Sequence, residues 1–213
     1  MARRKKEPRV RRTQAERSAS TQLHILETTF EALAELGYAG TTTVKICHRG
    51  KISRGALLHH YSTKTALVAA TVEYVLERRL EAFRAGYDAL PEGVNLRAAA
   101  LNLLWEQFSG RVFYVWLELL VAARTDDELR DTIARVGHEF SDRARALNAE
   151  LFPGVGDTEM GRLTLKFTFA LLQGLAVDRI IPDDTPVEVM LAVLKGLGDA
   201  LHGQAMDLSK LDK

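Results

Sequence analysis

The sequence has one cysteine, Cys47, five prolines and two tryptophans in 213 residues. A lone thiol excludes an internal disulfide and a cysteine-rich metal site, and it fits a reducing compartment, the cytoplasm. The few prolines (Pro8, Pro91, Pro153, Pro182 and Pro186) leave long stretches free to be helical. No hydrophobic run is long enough to span a bilayer. The longest, residues 112–123, contains Glu118, so no membrane partner is expected. The basic start, Met1-Ala2-Arg3-Arg4-Lys5-Lys6, is not followed by the apolar stretch of a signal peptide. Convincing period-two alternation is missing as well, which argues against strands.

What is there is the balance of a globular chain, 46% hydrophobic and 27% charged. The net charge of +1 hides an asymmetry. Residues 1–64 hold thirteen Lys and Arg against five Glu, a surplus of +8, so the remainder carries −7. A basic end on an acidic body points that end at a polyanion, or makes it a solubilising tail.

Residues 1–17 are polar and basic without an apolar repeat, and read as a disordered arm. Leu23, Leu26, Phe30 and Leu33 form the stripe of a first helix, stopped by Gly37. Thr41-Thr42-Thr43 can cap a short second helix to about residue 49. Gly50-Lys51 makes a break, and Ser53 can cap a short third helix to about residue 61. Ser62 or Thr63 opens a long fourth helix with Val68, Val72, Leu76, Leu80, Phe83, Tyr87 and Leu90 on one face. A fifth carries Leu101, Leu104, Trp105 and Phe108. Residues 112–123 are apolar nearly all round, which predicts a helix buried inside the body. Leu129, Ile133, Val136, Phe140, Ala144, Leu147 and Leu151 define a seventh.

Residues 158–179 show two apolar stripes. One is Leu163, Phe167, Ala170 and Gly174; the other is Leu165, Phe169, Leu172 and Ala176. Spacing alone does not say which faces outward. Pro186 can start a last helix with Val189, Val193, Leu197 and Leu201. The fold class is all-α, about nine helices. A helix apolar on two sides must be buried on two sides, so residues 158–179 and 186–202 predict an isologous four-helix interface between two copies.

Two short helices on a tight turn, within the basic third, have the form of a helix-turn-helix. Leu26, Phe30, Ile46, Ile52 and Leu57 are available to join them to the first helix. Residues 30–67 read Phe-x6-Gly-Tyr-x2-Thr-Thr-x3-Ile-x5-Ile-Ser-x-Gly-x-Leu-x2-His-Tyr-x2-Lys-x2-Leu. This pattern resembles the TetR-type family of one-component transcriptional regulators. Gly37-Tyr38, Thr41-Thr42, Ile46, Ile52-Ser53, Gly55, Leu57, His60-Tyr61, Lys64 and Leu67 stand at the family's spacing. The chain departs at the turn, where the family usually has Ala-Gly and this sequence has Gly50-Lys51. Either Lys51 takes a positive φ or Gly50 takes that role in a shifted turn. It also has Leu58 where the family commonly has Tyr, and Tyr61 where Phe is common.

The resemblance implies a basic arm at 1–17, a helix-turn-helix domain at 18–64 with its motif at about 42–61, and a ligand-binding and dimerisation domain at 65–213. It implies a homodimeric regulator, a repressor, that binds a palindromic operator in double-stranded DNA and is released by a small-molecule effector. Site roles follow by position. Thr42 and Ser53 cap their helices and lie near phosphate. Lys51 sits in the turn between them. Arg54 reads guanine or binds phosphate. Gly55 and Ala56 permit close approach, and His59 reaches a base or phosphate. His60, Tyr61 and Lys64 match a phosphate clamp, or His60 is merely solvated. The arm, Arg3 to Arg12, is available to a minor groove or to phosphates. Cys47 is a packing thiol or, alternatively, a redox switch.

The resemblance also implies a cavity between helices four to eight. Its candidate lining is Trp105, Phe108, Phe113, Trp116, Phe140 and Phe167, with Gln107, Glu118, Arg124, His138 and Gln173 as candidate orienting groups; the same aromatics also serve as plain core. No catalytic constellation, metal pair or cofactor motif is present. His59-His60 diverge on a helix, and no Gly-x-Ser-x-Gly elbow occurs. Two other readings remain: a DNA-binding adaptor controlled by a protein partner, and a helical enzyme acting on small apolar molecules.

Overall fold

The computed structural model describes residues 13–181 and 186–203, with side chains up to residue 196. Among the described residues there are nine helices and no strand. They are α1 (Gln14–Gly40), α2 (Thr43–Gly50), α3 (Arg54–His60), α4 (Lys64–Asp88), α5 (Leu96–Phe108), α6 (Arg111–Ala122), α7 (Asp127–Leu151), α8 (Glu159–Asp178) and α9 (Val187–Gly203). Two compact units result. One holds residues 1–74 and 118–134; the other holds residues 75–117 and 135–213. The boundary between these units falls inside α4, and α6 and α7 also contribute to both.

Most of the expected arm lies outside the described residues, but its last part is helical. Thr13 caps α1, accepting from Glu16 N at 3.2 Å while its own N–H donates to the Glu16 carboxylate at 2.7 Å. This reciprocal capping starts the helix at Gln14, ahead of the apolar stripe on which the first helix was expected to begin. Gly37 takes φ 68°, as a stop requires, yet one more helical turn follows it to Gly40.

In the first unit, Ile25, Leu26, Ala32, Ile46, Leu57, Tyr61 and Leu67 form one buried cluster, with Ile52 and Cys47 packed against it. The short helices are therefore held by α1 and α4. The inward face of α1 is rotated from the expected stripe: Ile25 and Thr29 are fully buried, whereas Leu23 is exposed. Thr29 tolerates this because its hydroxyl donates to Ile25 O at 2.7 Å. In the second unit, Leu101, Phe108, Phe113, Leu172, Ala176 and Leu191 form the buried centre.

The expectation of a wholly buried sixth helix is corrected. Phe113, Val115 and Leu119 are buried, but Tyr114, Leu120 and Val121 are exposed. A helix only twelve residues long finds cover for one face here, whatever its composition. The two stripes of α8 are also told apart. Leu172 and Ala176 are fully buried, while Leu163, Phe167, Ala170 and Gly174 are exposed.

Candidate functional site

The helix-turn-helix is built from its caps. Thr42 Oγ1 accepts from Lys45 N at 3.2 Å and Ser53 Oγ accepts from Ala56 N at 3.1 Å, so each hydroxyl starts a helix and keeps its own hydrogen for another acceptor. Thr41 is buried beside them, its hydroxyl donating to Gly37 O at 2.7 Å. The turn closes as Ile52 N donates to Cys47 O at 2.9 Å. Lys51 takes φ 51° and ψ 40°; it is the left-handed residue of the turn. Gly50 stays helical and serves close packing, since a Cβ there would lie 2.6 Å from Ile52 Cδ1.

A non-glycine residue in this conformation is strained by about 1–2 kcal/mol, against an entropy cost of about 0.5–1 kcal/mol for glycine. Lys51→Gly is therefore expected to raise stability by up to about 1 kcal/mol, read as a Tm increase of a few degrees in thermal unfolding. A lower Tm would mean that the lysine side chain holds the turn.

On α3, Leu57 and the capping Tyr61 face inward, and Tyr61 Oη accepts from Gln22 Nε2 at 3.2 Å. Arg54, Gly55, Leu58 and His59 face outward, with Ala56 and His60 half-buried. A Cβ on Gly55 would meet nothing within 4 Å, so no packing within the chain demands glycine there. Among the described residues Arg54 has no hydrogen-bond or ion-pair partner. Two nearby cations, Arg49 and Lys45, are engaged, whereas Lys51 is exposed like Arg54. Arg49 forms a two-pronged pair with Glu35 at 2.6 and 2.5 Å, which holds its pKa above the usual value. Lys45 Nζ donates to Gly40 O at 2.7 Å.

Lys64 is half-buried. Its Nζ donates to Tyr38 O at 2.6 Å and lies 3.8 Å from the centre of the Tyr38 ring. Burial pushes its pKa down, partly countered by Asp126. Lys64 thus caps the end of α1 and keeps two N–H donors.

Sequence reasoning did not single out Val44 and Leu58 as site residues. Both are exposed apolar side chains on the outer side of α2 and α3. The available signal was their position: each lies off the buried face marked by Ile46 and Leu57. Glu118 serves the head rather than a cavity. Its carboxylate accepts from Tyr38 N at 2.5 Å and fills the space where a Gly37 side chain would stand.

Besides a broad open hollow of about 540 Å³ at Tyr87, Leu96, Leu151 and Phe152, the described residues of the second unit line two neighbouring cavities. The larger, about 190 Å³, is lined by Leu101, Leu104, Phe152, Met160, Leu165 and Phe167, among others. The smaller, about 60 Å³, is lined by Arg79, Phe83, Gln107, Phe108, Phe140 and Phe169, among others. Ala100, Leu104, Asn148, Phe152 and Leu165 border both. Of the expected lining, Phe108, Phe140 and Phe167 stand at a cavity. Trp105 and Phe113 belong to the packed centre, and the Trp116 ring covers Gly137. Gln107 also lines the smaller cavity, whereas Arg124 and His138 are exposed.

Residues 25–71 match the family of bacterial regulatory proteins known as the tetR family. An HTH-type transcriptional regulator from Mycobacterium bovis is 37% identical over 147 residues, covering 67% of this chain and 75% of its own. The HTH-type transcriptional regulator CymR of Pseudomonas putida is 37% identical over 125 residues, 59% of this chain and 62% of its own. A solved transcriptional regulator from Pseudomonas aeruginosa PAO1 shares the fold with a TM-score of 0.67 at 22% identity, over 91% of this chain and 98% of its own.

The chain belongs to the TetR family.

This TetR-family protein is accordingly a DNA-binding transcriptional regulator, in a family whose members here are regulators and not enzymes. The matched segment runs from Ile25 through both short helices to Thr71 in α4, so it contains the whole helix-turn-helix. Among the described residues no helix is long and apolar enough to cross a membrane, and no cluster of ligands suits a metal ion.

Proposed function

We propose that this TetR-family regulator is a cytoplasmic homodimeric repressor that places α3 of each copy in successive major grooves of a palindromic operator and leaves it when a small molecule occupies the cavities. The observation that carries the reading is the outer face of α3. An unpaired guanidinium, a glycine with open space above it and an exposed leucine stand together on a helix anchored from behind. A groove admits such a helix. Arg54 offers two donors to guanine O6 and N7, and Leu58 offers apolar contact to a thymine methyl. Thr42, Lys51, Ser53, His59, His60 and Lys64 surround this face as phosphate contacts, with Tyr61 holding the helix from inside. The division of labour remains an arm at 1–17, a DNA-binding domain at 18–64 and a ligand-binding and dimerisation domain at 65–213. Effector binding shifts a two-state equilibrium through α4, and an effector moves that equilibrium only by its differential affinity, typically about 1–3 kcal/mol.

The test separates reading from anchoring. An operator is first selected from random duplexes. Arg54→Ala is then expected to lower discrimination by about 1–3 kcal/mol at one base position of each half-site. Lys64→Ala is expected to weaken all sequences alike. If both changes affect operator and random DNA equally, Arg54 binds phosphate and the reading of α3 is wrong.

A further inference from the structure

Arg79 has no role in the DNA-binding head, and its position is physically costly. It lies on α4 between Leu76 and Phe83, on the inward face of the helix, and only 9% of its surface is exposed. Its Nε has no hydrogen-bond partner, and among the described residues no carboxylate pairs with it. The guanidinium instead sits 5.1 Å from the centre of the Phe108 ring and 6.0 Å from that of Phe140. Phe169 packs against both rings. Burial pushes the Arg79 pKa down to about 10, so the group stays cationic at neutral pH. A buried charge without a counter-ion is destabilising, and aromatic faces compensate only in part. A fold that keeps one beside a cavity holds it ready for an anion.

The cavities agree. Among the described residues, Arg79 is the one charged residue lining the smaller, and Arg97 and Lys195 are the charged residues lining the larger. Among the described residues no Asp or Glu lines either, although residues 65–213 carry a net charge of −7. Lysine and arginine thus stand at the walls within an otherwise acidic body. Beyond the cations the lining is mostly apolar, with the hydroxyls of Thr164 and Thr168 at the larger space, the amide of Gln107 at the smaller and that of Asn148 at both.

From this arrangement we infer that the ligand is an apolar monocarboxylate, its carboxylate bonded by Arg79 and its hydrocarbon part lying among Leu101, Leu104, Phe152 and Leu165. A guanidinium fork matches a planar carboxylate with two parallel N–H···O bonds, and one ligand charge neutralises one buried cation. Phe108 and Phe140 flank the pair and keep water from it. This deepens the effector-gated reading and rests on it.

The experiment uses the full chain and three probes of one length: octanoate, octanamide and octanol. Octanoate is expected to raise Tm saturably and to bind in calorimetry at least about 30-fold more tightly than octanamide or octanol, the effect of one desolvated charge pair. The variant R79M should raise the Tm of the ligand-free protein and lose the octanoate shift; R79K should keep part of it. Equal binding of octanoate and octanamide overturns the inference. So does the absence of binding by octanoate and by a panel of six- to twelve-carbon and aryl carboxylates. R79M lowering the ligand-free Tm while keeping the octanoate shift overturns it too, since Arg79 would then be a packing residue. The head-group comparison on the unmodified protein decides the matter even where a variant does not fold. A parallel titration of the protein–DNA complex keeps the two readings distinguishable. Octanoate that binds without releasing DNA sinks effector gating and leaves the carboxylate site. DNA release by a neutral apolar probe alone sinks the carboxylate site and leaves gating.

Discussion

Operator affinity is expected to fall by about 10³ or more between 50 and 200 mM salt. Each head carries Lys51 and Arg54 exposed and Lys64 half-buried with donors to spare, so a dimer brings six cations to the duplex, and the two Arg54, though aimed at base edges, displace counterions as the four lysines do. Every neutralised phosphate releases condensed counterions, with a slope of about −0.9 per contact in a plot of log affinity against log salt. Six contacts give a slope of about −5, and the fourfold change in salt does the rest. Arg49 and Lys45 are left out of this count because Glu35 and Gly40 O hold them. Thr42 and Ser53 are left out because a neutral hydroxyl displaces no ion. The arm's basic residues, Arg3 to Arg12, lie outside the described residues, and their share is measured by difference. Deleting residues 1–12 is expected to reduce the slope while leaving discrimination at the Arg54 position intact. A flat response in the full chain would remove the basic footprint, and with it the reason that three positive charges stand around each α3.

Helical periodicity made most of the fold legible, because it reports which face meets the core. The stripe of α4 was read residue by residue, and Val68, Val72, Leu76 and Phe83 are buried as expected. Leu129, Ile133 and Val136 of α7 are buried likewise. Where a helix carries apolar residues on several sides, periodicity gives no direction. That is why α6 was expected to be wholly buried and why the stripes of α8 stayed unordered until Leu172 and Ala176 were seen inside. The turn of the head was legible as a choice between Gly50 and Lys51. Backbone closure by Ile52 N onto Cys47 O, together with Ile52 and Thr28 crowding Gly50, decides for Lys51. Arg79 was missed for the opposite reason. In the run Glu77-Arg78-Arg79 it looks like one more solvated charge. Its spacing of three from Leu76 and four to Phe83 was the signal, since those intervals put it on the buried face. The aromatic set was only partly legible. Phe113 and Phe108 touch edge to face with centres 5.7 Å apart, and only Phe108 reaches a cavity, a distinction that composition does not carry.

A charge at the centre of the exposed α8 stripe is expected to split the dimer without unfolding the chain. Leu163, Phe167, Ala170, Gly174 and Val177 follow one another at intervals of four, three, four and three, the spacing of a seam between two helices. All are exposed in the single chain, and a Cβ on Gly174 would meet nothing within 4 Å. On α9, Val189 and Val193 are 52% and 55% exposed, a second apolar strip on the same unit. The opposite faces of both helices are satisfied, since Leu172 and Ala176 of α8 and Leu191 of α9 join the buried centre. An outward seam of this kind on two helices is covered when each meets its symmetry mate, which gives an isologous four-helix interface. Ala170→Glu places an unpaired carboxylate in that interface from both copies. Burying such a charge costs several kcal/mol, so the dimer dissociation constant is expected to rise about 10³-fold or more. Sedimentation at micromolar concentration should show a folded monomer with unchanged helical circular dichroism. Operator affinity should fall with it, because one head makes half of the contacts. Leu172→Glu is the contrast: it buries the charge inside the protein's own core, and loss of fold is the expected result. Wild-type protein sedimenting as a monomer, or Ala170→Glu sedimenting as a dimer, would remove this interface and leave the palindromic operator without a physical basis.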